Sequence, residues 1–235
     1  LHIGNRLTAS CAVTSPYGGF APDEFMCSAS LMLRCPGIHT KFIAGDFNAR
    51  FGQGLAIWNG LSLSSLSSPS AFMKNPSGIT QSFSFTGSNA LSGIGAETSV
   101  RRFSVSAFLA FPGVRSFRFN ADDMELLPAV NVSWYGRYGQ LAATVLPGRS
   151  SVDTRWCING TDIFGEIVYD WHNRSTASLA GVVFPVRAHL KSAAMLRYYP
   201  ASFDAGYSGA MSSFSSSANQ YGASLSAEFD MKGSH

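Results

Sequence analysis

Eight charged side chains at strand-like spacing are the residues of this chain best suited to form a site. They are Asp46, Arg50, Glu97, Arg101, Arg137, Glu166, Asp170 and Arg197. Side chains an even number of positions apart on a strand point the same way, so Asp46 and Arg50 share one face. Carboxylate and guanidinium groups placed in this way can interleave across neighbouring strands. We therefore predict a polar network that satisfies charges removed from water, with a transport or substrate pathway as the alternative.

Sequence patterns for other kinds of chemistry are weak. No Gly-x-Ser-x-Gly elbow occurs and nothing identifies an acid that would orient a histidine, so we predict no catalytic residues and no enzyme activity. No cluster of His, Cys, Asp and Glu has the spacing of metal ligands. Gly52-Gln53-Gly54 lacks the strand-to-helix context of a nucleotide fingerprint. We predict neither a metal nor a cofactor.

The composition indicates a chain with little surface for water. Hydrophobic residues make up 46% and charged residues 13%, whereas soluble domains carry about 25% charged residues. No run of about 18 or more apolar residues occurs, which argues against a transmembrane helix. Such a chain either hides its apolar residues in a large soluble β-fold or shows them to lipid as a closed barrel. We predict the barrel, with a soluble β-sandwich or barrel as the alternative.

Apolar and polar residues alternate in segments of about ten residues, the length that a tilted strand needs to cross a bilayer. About twelve strands are predicted, over 2–14, 25–35, 39–51, 89–101, 103–112, 127–138, 140–147, 150–158, 162–172, 175–185, 187–199 and 217–231. In 162–172, Ile163, Ile167 and Tyr169 share one face while Glu166 and Asp170 share the other, and we expect the carboxylates to face the lumen. The predicted fold is all-β, an antiparallel transmembrane outer-membrane β-barrel forming a single domain over 1–235.

The longest segment without this alternation is 52–88, which is rich in glycine, serine and proline. A structureless connection of this length is uncommon unless it is functional or mobile. Its first part holds Gly52, Gly54, Leu55 and Trp58, and the run from Leu55 to Trp58 is too apolar for a solvated loop. We predict that the segment folds inward and occludes the lumen as a plug. The alternative is an external loop packed on the rim.

The four cysteines, Cys11, Cys27, Cys35 and Cys157, lack the CxxC spacing of a redox or metal motif. We interpret them as small apolar residues. A bridge from Cys11 to Cys27 or to Cys35, across neighbouring strands, is the alternative.

Three segments carry a resemblance to a known family. They are Gly45-Asp46-Phe47 continued by Phe51-Gly52-Gln53-Gly54-Leu55, then Phe164-Gly165-Glu166, and finally Leu196-Arg197-Tyr198-Tyr199-Pro200 followed by Asn219-Gln220-Tyr221-Gly222. In this order they resemble the β-barrel portion of large outer-membrane proteins of the Bacteroidetes group. That family is labelled helix-hairpin-helix or competence-like, because a small helical domain precedes its barrel. The family usually has Asn-Glu-Tyr-Gly where this chain has Gln220, and no helical module is visible in these residues.

The resemblance implies a location in the bacterial outer membrane, in contact with membrane lipid and lipopolysaccharide. We predict a non-enzymatic barrel that acts as a structural or accessory subunit of a larger outer-membrane assembly, with outer-membrane protein partners. The alternative is a plugged pore or transporter, for DNA or another polymer, in which 52–88 moves aside. About twelve strands leave a narrow lumen once side chains fill it, which favours the accessory role. The net charge of +3 comes from scattered basic residues, so nucleic acid is not an evident partner.

Overall fold

The computed structural model describes residues 2–3, 6–14, 26–59, 68–82, 91–111, 125–187, 189–212 and 218–229. Its strands are β1 His2–Ile3, β2 Leu7–Thr14, β3 Met26–Cys35, β4 Thr40–Arg50, β5 Gly78–Gln81, β6 Leu91–Val100, β7 Phe103–Phe111, β8 Leu127–Tyr135, β9 Gly139–Leu146, β10 Arg149–Ile158, β11 Thr161–Asp170, β12 Ser175–Arg187, β13 Leu190–Tyr199 and β14 Gln220–Phe229. Two short 3-10 helices, Pro36–Ile38 and Pro69–Phe72, are the helices of the described ranges. Neither of these described helices has the length and apolar character needed to span a membrane.

Thirteen strands follow one another in an antiparallel sheet, and β5 pairs with β4 beside this path. The predicted all-β antiparallel fold is confirmed, and it is consistent with a β-barrel. The sequence predicts a closed barrel. Within the described residues, however, no pairing joins β1 to β14, so the sheet is not closed.

Predictions for two segments before residue 89 are wrong in detail. The predicted strand 2–14 is two strands, because the chain turns back and places His2 opposite Thr8. The segment 52–88 is not without secondary structure, because β5 lies within it and places Ile79 opposite Ala49. Four residues are too few to show alternation in a sequence. Residues 60–67 and 83–88 of that segment lie outside the described residues.

The chain divides into two compact units. Unit 1 comprises Leu1–Arg50, Asn59–Ser62 and Ser77–Val132, and unit 2 comprises Phe51–Trp58, Leu63–Pro76 and Ser133–His235. Strands β1 to β7 belong to unit 1, β9 to β14 belong to unit 2, and β8 is divided between them. The single domain over 1–235 stays a prediction.

In unit 1 the buried face of the sheet mixes aromatic and small polar side chains. Phe47 of β4 and Phe108 of β7 pack edge to face, with ring centroids 5.4 Å apart. Ser104 and Ser106 of β7 lie on the same buried face. The opposite face of β7 exposes apolar side chains, Leu109 among them.

In unit 2 the exposed face of β11 is apolar, and a carboxyl side chain lies on its buried face. Along β11, Phe164 and Glu166 are buried, whereas Ile163 and Ile167 are exposed. The two faces predicted for 162–172 are therefore observed, with the carboxylates on the buried face.

The alternative of a disulfide bridge is not supported. Cys11, Cys35 and Cys157 are free thiols, which removes both proposed bridges, since each needs Cys11.

Candidate functional site

A buried glycine-rich turn directly follows β4 and belongs to unit 2. Gly52 has φ of 56° and Gly54 has φ of 87°, the left-handed region that glycine adopts without strain. These angles turn the chain back on itself, so that the backbone N–H of Phe51 donates to the Ile57 carbonyl at 3.3 Å. Leu55 is fully buried. We call residues 52–56 the glycine turn.

The carboxylate of Glu166 is bound by the backbone of the glycine turn. Its Oε2 accepts hydrogen bonds from the N–H groups of Gln53 at 2.6 Å and Leu55 at 3.0 Å. Its Oε1 accepts from the N–H of Ala56 at 3.0 Å. Glu166 is only 2% exposed, and hydrogen bonds to an ionised group are the stronger kind. Backbone N–H groups of one turn that converge on an anion form a concave binding site, and here the chain fills that site with its own side chain.

The strand pairing explains how Glu166 reaches the turn. Alternation along β11 places it on the buried face, opposite Asp153 of β10. Asp153 is also buried, so two carboxylates lie side by side under the glycine turn. Asp153 is not among the predicted network residues. Its position in the predicted strand 150–158 was a signal, because buried partners on neighbouring strands share a face.

Arg149 holds the opposite side of the glycine turn. This arginine opens β10 and is buried, and its Nη1 donates to the Ala56 carbonyl at 3.4 Å. Its Nη2 forms a salt bridge of 2.9 Å with Asp204. The guanidinium also lies 5.7 Å from the ring centroid of Phe203 and 5.9 Å from that of Tyr207, within the range of cation–π attraction. A single cation therefore joins the turn to the segment that follows β13.

Gln53 and Lys74 form a third attachment. The Lys74 backbone N–H donates to Gln53 Oε1 at 2.9 Å, and Gln53 Nε2 donates to the Lys74 carbonyl at 3.4 Å. The Lys74 ammonium lies 4.6 Å from the ring centroid of Trp58 and donates to the Gly209 carbonyl. The Gly209 backbone N–H in turn donates to the Gly54 carbonyl at 3.0 Å. The turn is thus fixed by a buried acid, a buried arginine and a peptide segment.

The predicted network residues of unit 1 do not share one site. Asp46 is buried and accepts from the Ala29 N–H at 3.3 Å and from the Ser92 hydroxyl. Glu97 forms a salt bridge of 3.0 Å with Lys41 and also accepts from the Ile79 N–H at 3.2 Å.

The two predicted arginines of unit 1 differ in placement. Arg50 is half-buried and its Nε donates to the Asn59 carbonyl at 3.1 Å. Arg101 is exposed in the turn between β6 and β7 with φ of 55°. The predicted strand 89–101 therefore ends one residue too late, and Arg101 is not on the buried face. A left-handed residue reverses the chain and ends the alternation that the prediction extended.

The remaining predicted residues belong to unit 2. Asp170 is buried and accepts from the N–H groups of His172 and Asn173, both at 3.0 Å, so it closes the turn after β11. Arg197 is half-buried and its Nη1 donates to the Ser224 hydroxyl at 3.4 Å.

Arg137 lies in the turn after β8, exposed, with its guanidinium 5.2 Å from the Tyr138 ring centroid. The predicted strand 127–138 is too long by three residues. Like Arg101, this arginine lies at a turn and away from the buried carboxylates.

The four residues predicted for the plug lie together. Gly52, Gly54 and Leu55 belong to the glycine turn, and Trp58 follows it, with its backbone N–H donating to the Tyr207 carbonyl at 2.9 Å. The salt bridge Lys41–Glu97 contains one of the eight predicted network residues, Glu97, and its partner Lys41 was not predicted. The salt bridge Arg149–Asp204 contains none of the eight. The best-formed polar site of unit 2 is therefore the attachment of the glycine turn to Glu166, Arg149 and Lys74.

Arg149 is expected to contribute more to stability than its salt-bridge partner. Replacing Arg149 with Gln should cost about 2–3 kcal/mol, because the buried Ala56 carbonyl loses a charged donor. Asp204→Asn should cost under about 1 kcal/mol, because the Asp204 side chain is 59% exposed and surface ion pairs are weak. Denaturant unfolding of both variants measures the difference. An equal cost would assign the effect to the salt bridge instead.

Within the described part of the chain, no group of three or more His, Cys, Asp and Glu side chains could hold a metal ion. Comparison with protein-family models, with curated proteins and with solved structures finds no match to this chain.

Proposed function

We propose that this chain is a non-enzymatic β-barrel of the bacterial outer membrane and a structural or accessory subunit of a larger assembly there. The proposal rests on the contrast between the two faces of the sheet in unit 2. The buried face of the sheet holds a peptide turn on a buried carboxylate, and the other face of the same strands is exposed and apolar.

A membrane location is supported by the exposed side chains in the middle of strands. Ile167 of β11 is 58% exposed and Leu196 of β13 is 66% exposed. A half-solvated antiparallel sheet normally places polar residues on its solvent face, whereas a transmembrane barrel places apolar residues outward and polar residues inward. Closure of the sheet into a barrel would also remove the free edges of β1 and β14.

A closed interior is supported by the contacts of the glycine turn. To open a path through the barrel, the glycine turn would have to break its hydrogen bonds with Glu166, with Arg149 and with the peptide segment at Gly209. Each hydrogen bond to a charged group contributes about 1.5–3 kcal/mol, so the bonds to Glu166 alone oppose opening by several kcal/mol. A barrel blocked in this way acts through its outer surface and its loops, which is the reason for assigning an accessory role rather than a pore.

Membrane insertion is tested by placing a charge on the exposed face. Ile167→Arg should cost about 2–4 kcal/mol in phospholipid vesicles if Ile167 faces lipid. The control is His172→Arg in the exposed turn after β11, which should stay within about 0.5 kcal/mol of the original chain. The stability of both variants is measured by denaturant unfolding, which is monitored by the gel mobility of unheated samples. An Ile167→Arg variant as stable as the control would point to a water-soluble sheet.

The accessory role is tested by extracting the protein from its native outer membrane in mild detergent and separating it on a native gel. Mass spectrometry then identifies what migrates with it. We expect a defined large complex with other outer-membrane proteins. A lone barrel that conducts ions in a planar bilayer would overturn the accessory role and leave the membrane location standing.

A further inference from the structure

A row of charged residues crosses one end of the sheet in unit 1. Arg34 of β3 is the register partner of Lys41 on β4, and Lys41 is in turn the partner of Glu97 on β6. Arg6 lies beside Arg34, whose backbone N–H donates to the Arg6 carbonyl at 2.6 Å. Neighbouring strands lie about 4.8 Å apart, and like charges directly opposite each other are destabilising. The row therefore places three cations next to one acid.

The acid of this row already has partners. Glu97 Oε1 forms the 3.0 Å salt bridge with Lys41, and Glu97 Oε2 accepts from the Ser106 hydroxyl at 3.1 Å. The salt bridges of the described residues include neither Arg34 nor Arg101, and both arginines are exposed. The positive charge of these two guanidinium groups is therefore not balanced within the part of the chain that the structure describes.

Both arginines line one cavity of ≈ 740 Å³ at this end of unit 1. His39, Lys41 and Glu97 line it as well, and we call it the basic cavity. Its volume is in the range of ligand sites, roughly 300–1,000 Å³. An anion that enters the cavity lowers the repulsion between its cations, so the cavity is complementary to a ligand with more than one oxyanion group.

The strand cations do not lie on the apolar, exposed face of the sheet. Arg34 and Lys41 are two positions beyond the buried register partners Met32 and Ile43, so they share the buried face. Leu33, one position before Arg34, lies on the opposite face and is 41% exposed. Lipid that covers the apolar face therefore does not meet these cations along that face. The ligand comes from water at the end of the strands.

We propose that the basic cavity docks an acidic segment of a partner protein, whose carboxylates pair with Arg34 and Arg101. The inference rests on the proposed function, because it gives the accessory subunit a surface for its partner and states the chemistry of that partner. Guanidinium groups pair with carboxylates through two parallel hydrogen bonds. Complementary charge of this kind speeds association and selects the partner.

The lengths of the strand connections indicate the side of the membrane. The end that carries the basic cavity holds the short turns 36–39 and 101–102, whereas the connections 15–25 and 112–126 leave from the opposite end. Outer-membrane barrels have short turns on the periplasmic side and longer loops outside. The docked segment then belongs to a periplasmic protein or to the periplasmic part of a membrane protein.

The test is the binding of a synthetic peptide to the full chain in mild detergent, measured by fluorescence anisotropy. In the acidic probe glutamate alternates with serine, so that an extended peptide carries all its carboxylates on one side. The control probe has glutamine in place of glutamate. We expect the chain to bind the glutamate peptide and not the glutamine peptide. Binding should be lost when salt shortens the Debye length from about 10 Å to about 3 Å.

Three double variants separate the two arginines from charge elsewhere. Arg34→Gln/Arg101→Gln should weaken binding of the glutamate peptide about tenfold, since each exposed ion pair contributes roughly threefold. Arg34→Lys/Arg101→Lys keeps both charges and loses the fork of donors, so it should weaken binding by only about threefold. Arg137→Gln/Arg174→Gln removes two exposed turn arginines of unit 2 and should bind as the original chain does. The gel mobility of unheated samples reports whether each variant has folded.

The outcomes separate the docking site from the proposed function. Equal binding of the two peptides, no binding of either, or binding unchanged in Arg34→Gln/Arg101→Gln overturns the docking site alone, whatever complex the native gel shows. Phosphatidylglycerol, inorganic phosphate or an oligothymidine that displaces the glutamate peptide at equal charge concentration also overturns it, in favour of lipid, a small anion or nucleic acid. A chain that binds the glutamate peptide through the two arginines and migrates alone on the native gel would support the docking site and overturn the accessory role.

Discussion

Replacing Glu166 with glutamine is expected to destabilise the folded chain by about 3–5 kcal/mol. The carboxylate accepts hydrogen bonds on both oxygens, from Gln53 and Leu55 on Oε2 and from Ala56 on Oε1. A carboxamide keeps one acceptor oxygen and turns the other position into a donor. At least one buried N–H group of the glycine turn then loses its partner and faces an N–H₂ group. The midpoint of denaturant unfolding in detergent micelles measures the loss.

The matched control is Glu228→Gln on β14. Glu228 is exposed, and its hydrogen bond of 2.9 Å to the Ser68 hydroxyl lies in solvent, so the same chemical change should cost under about 0.5 kcal/mol. Planar-bilayer recordings of Glu166→Gln should show no new conductance, because Arg149 and Lys74 still hold the turn. A gain of conductance with unchanged stability would contradict the structural role of Glu166 and would favour a gate.

The sheet could be predicted from the sequence because its strands are long and their faces differ. In β11 the alternation of Ile163, Phe164, Glu166 and Ile167 is a period-two pattern, which the sequence displays directly. The β1–β2 hairpin escaped prediction because two residues cannot establish a period. The short β5 escaped for the same reason. Its pairing with β4 depends on a contact between Ile79 and Ala49 that local sequence does not encode.

The sequence predicted some residues of the site but not their contacts, and Arg149 and Lys74 were not among the predicted residues. The sequence indicates that Glu166 lies on the buried face and that Gly52, Gly54, Leu55 and Trp58 fold inward. It also predicts arginines as partners of the buried carboxylates, and the observed partners of Glu166 are backbone N–H groups. Every residue except proline carries such a group, so no residue type marks it. Gln53 and Glu166 are also 113 positions apart.

Substituting alanine for Gly52 is expected to cost about 2–5 kcal/mol, from two sources that a control separates. An L-residue at φ of 56° costs roughly 1–2 kcal/mol. An alanine Cβ would also lie 2.7 Å from Glu166 Oε2 and 3.1 Å from the Asp153 Cβ. Such overpacking typically costs a further 1–3 kcal/mol or so. The measurement is again denaturant unfolding in micelles.

Gly148→Ala is the control that isolates the backbone contribution. Gly148 lies in the turn between β9 and β10 with φ of 77°, and a Cβ there would meet no atom within 4 Å. Its cost should therefore be that of the left-handed conformation alone, about 1–2 kcal/mol. The excess for Gly52→Ala then measures how closely the glycine turn approaches Glu166. If the two substitutions cost the same, a Cβ at position 52 is not crowded by Glu166 and Asp153, and the attachment of the glycine turn that blocks the proposed barrel is weaker than its hydrogen bonds indicate.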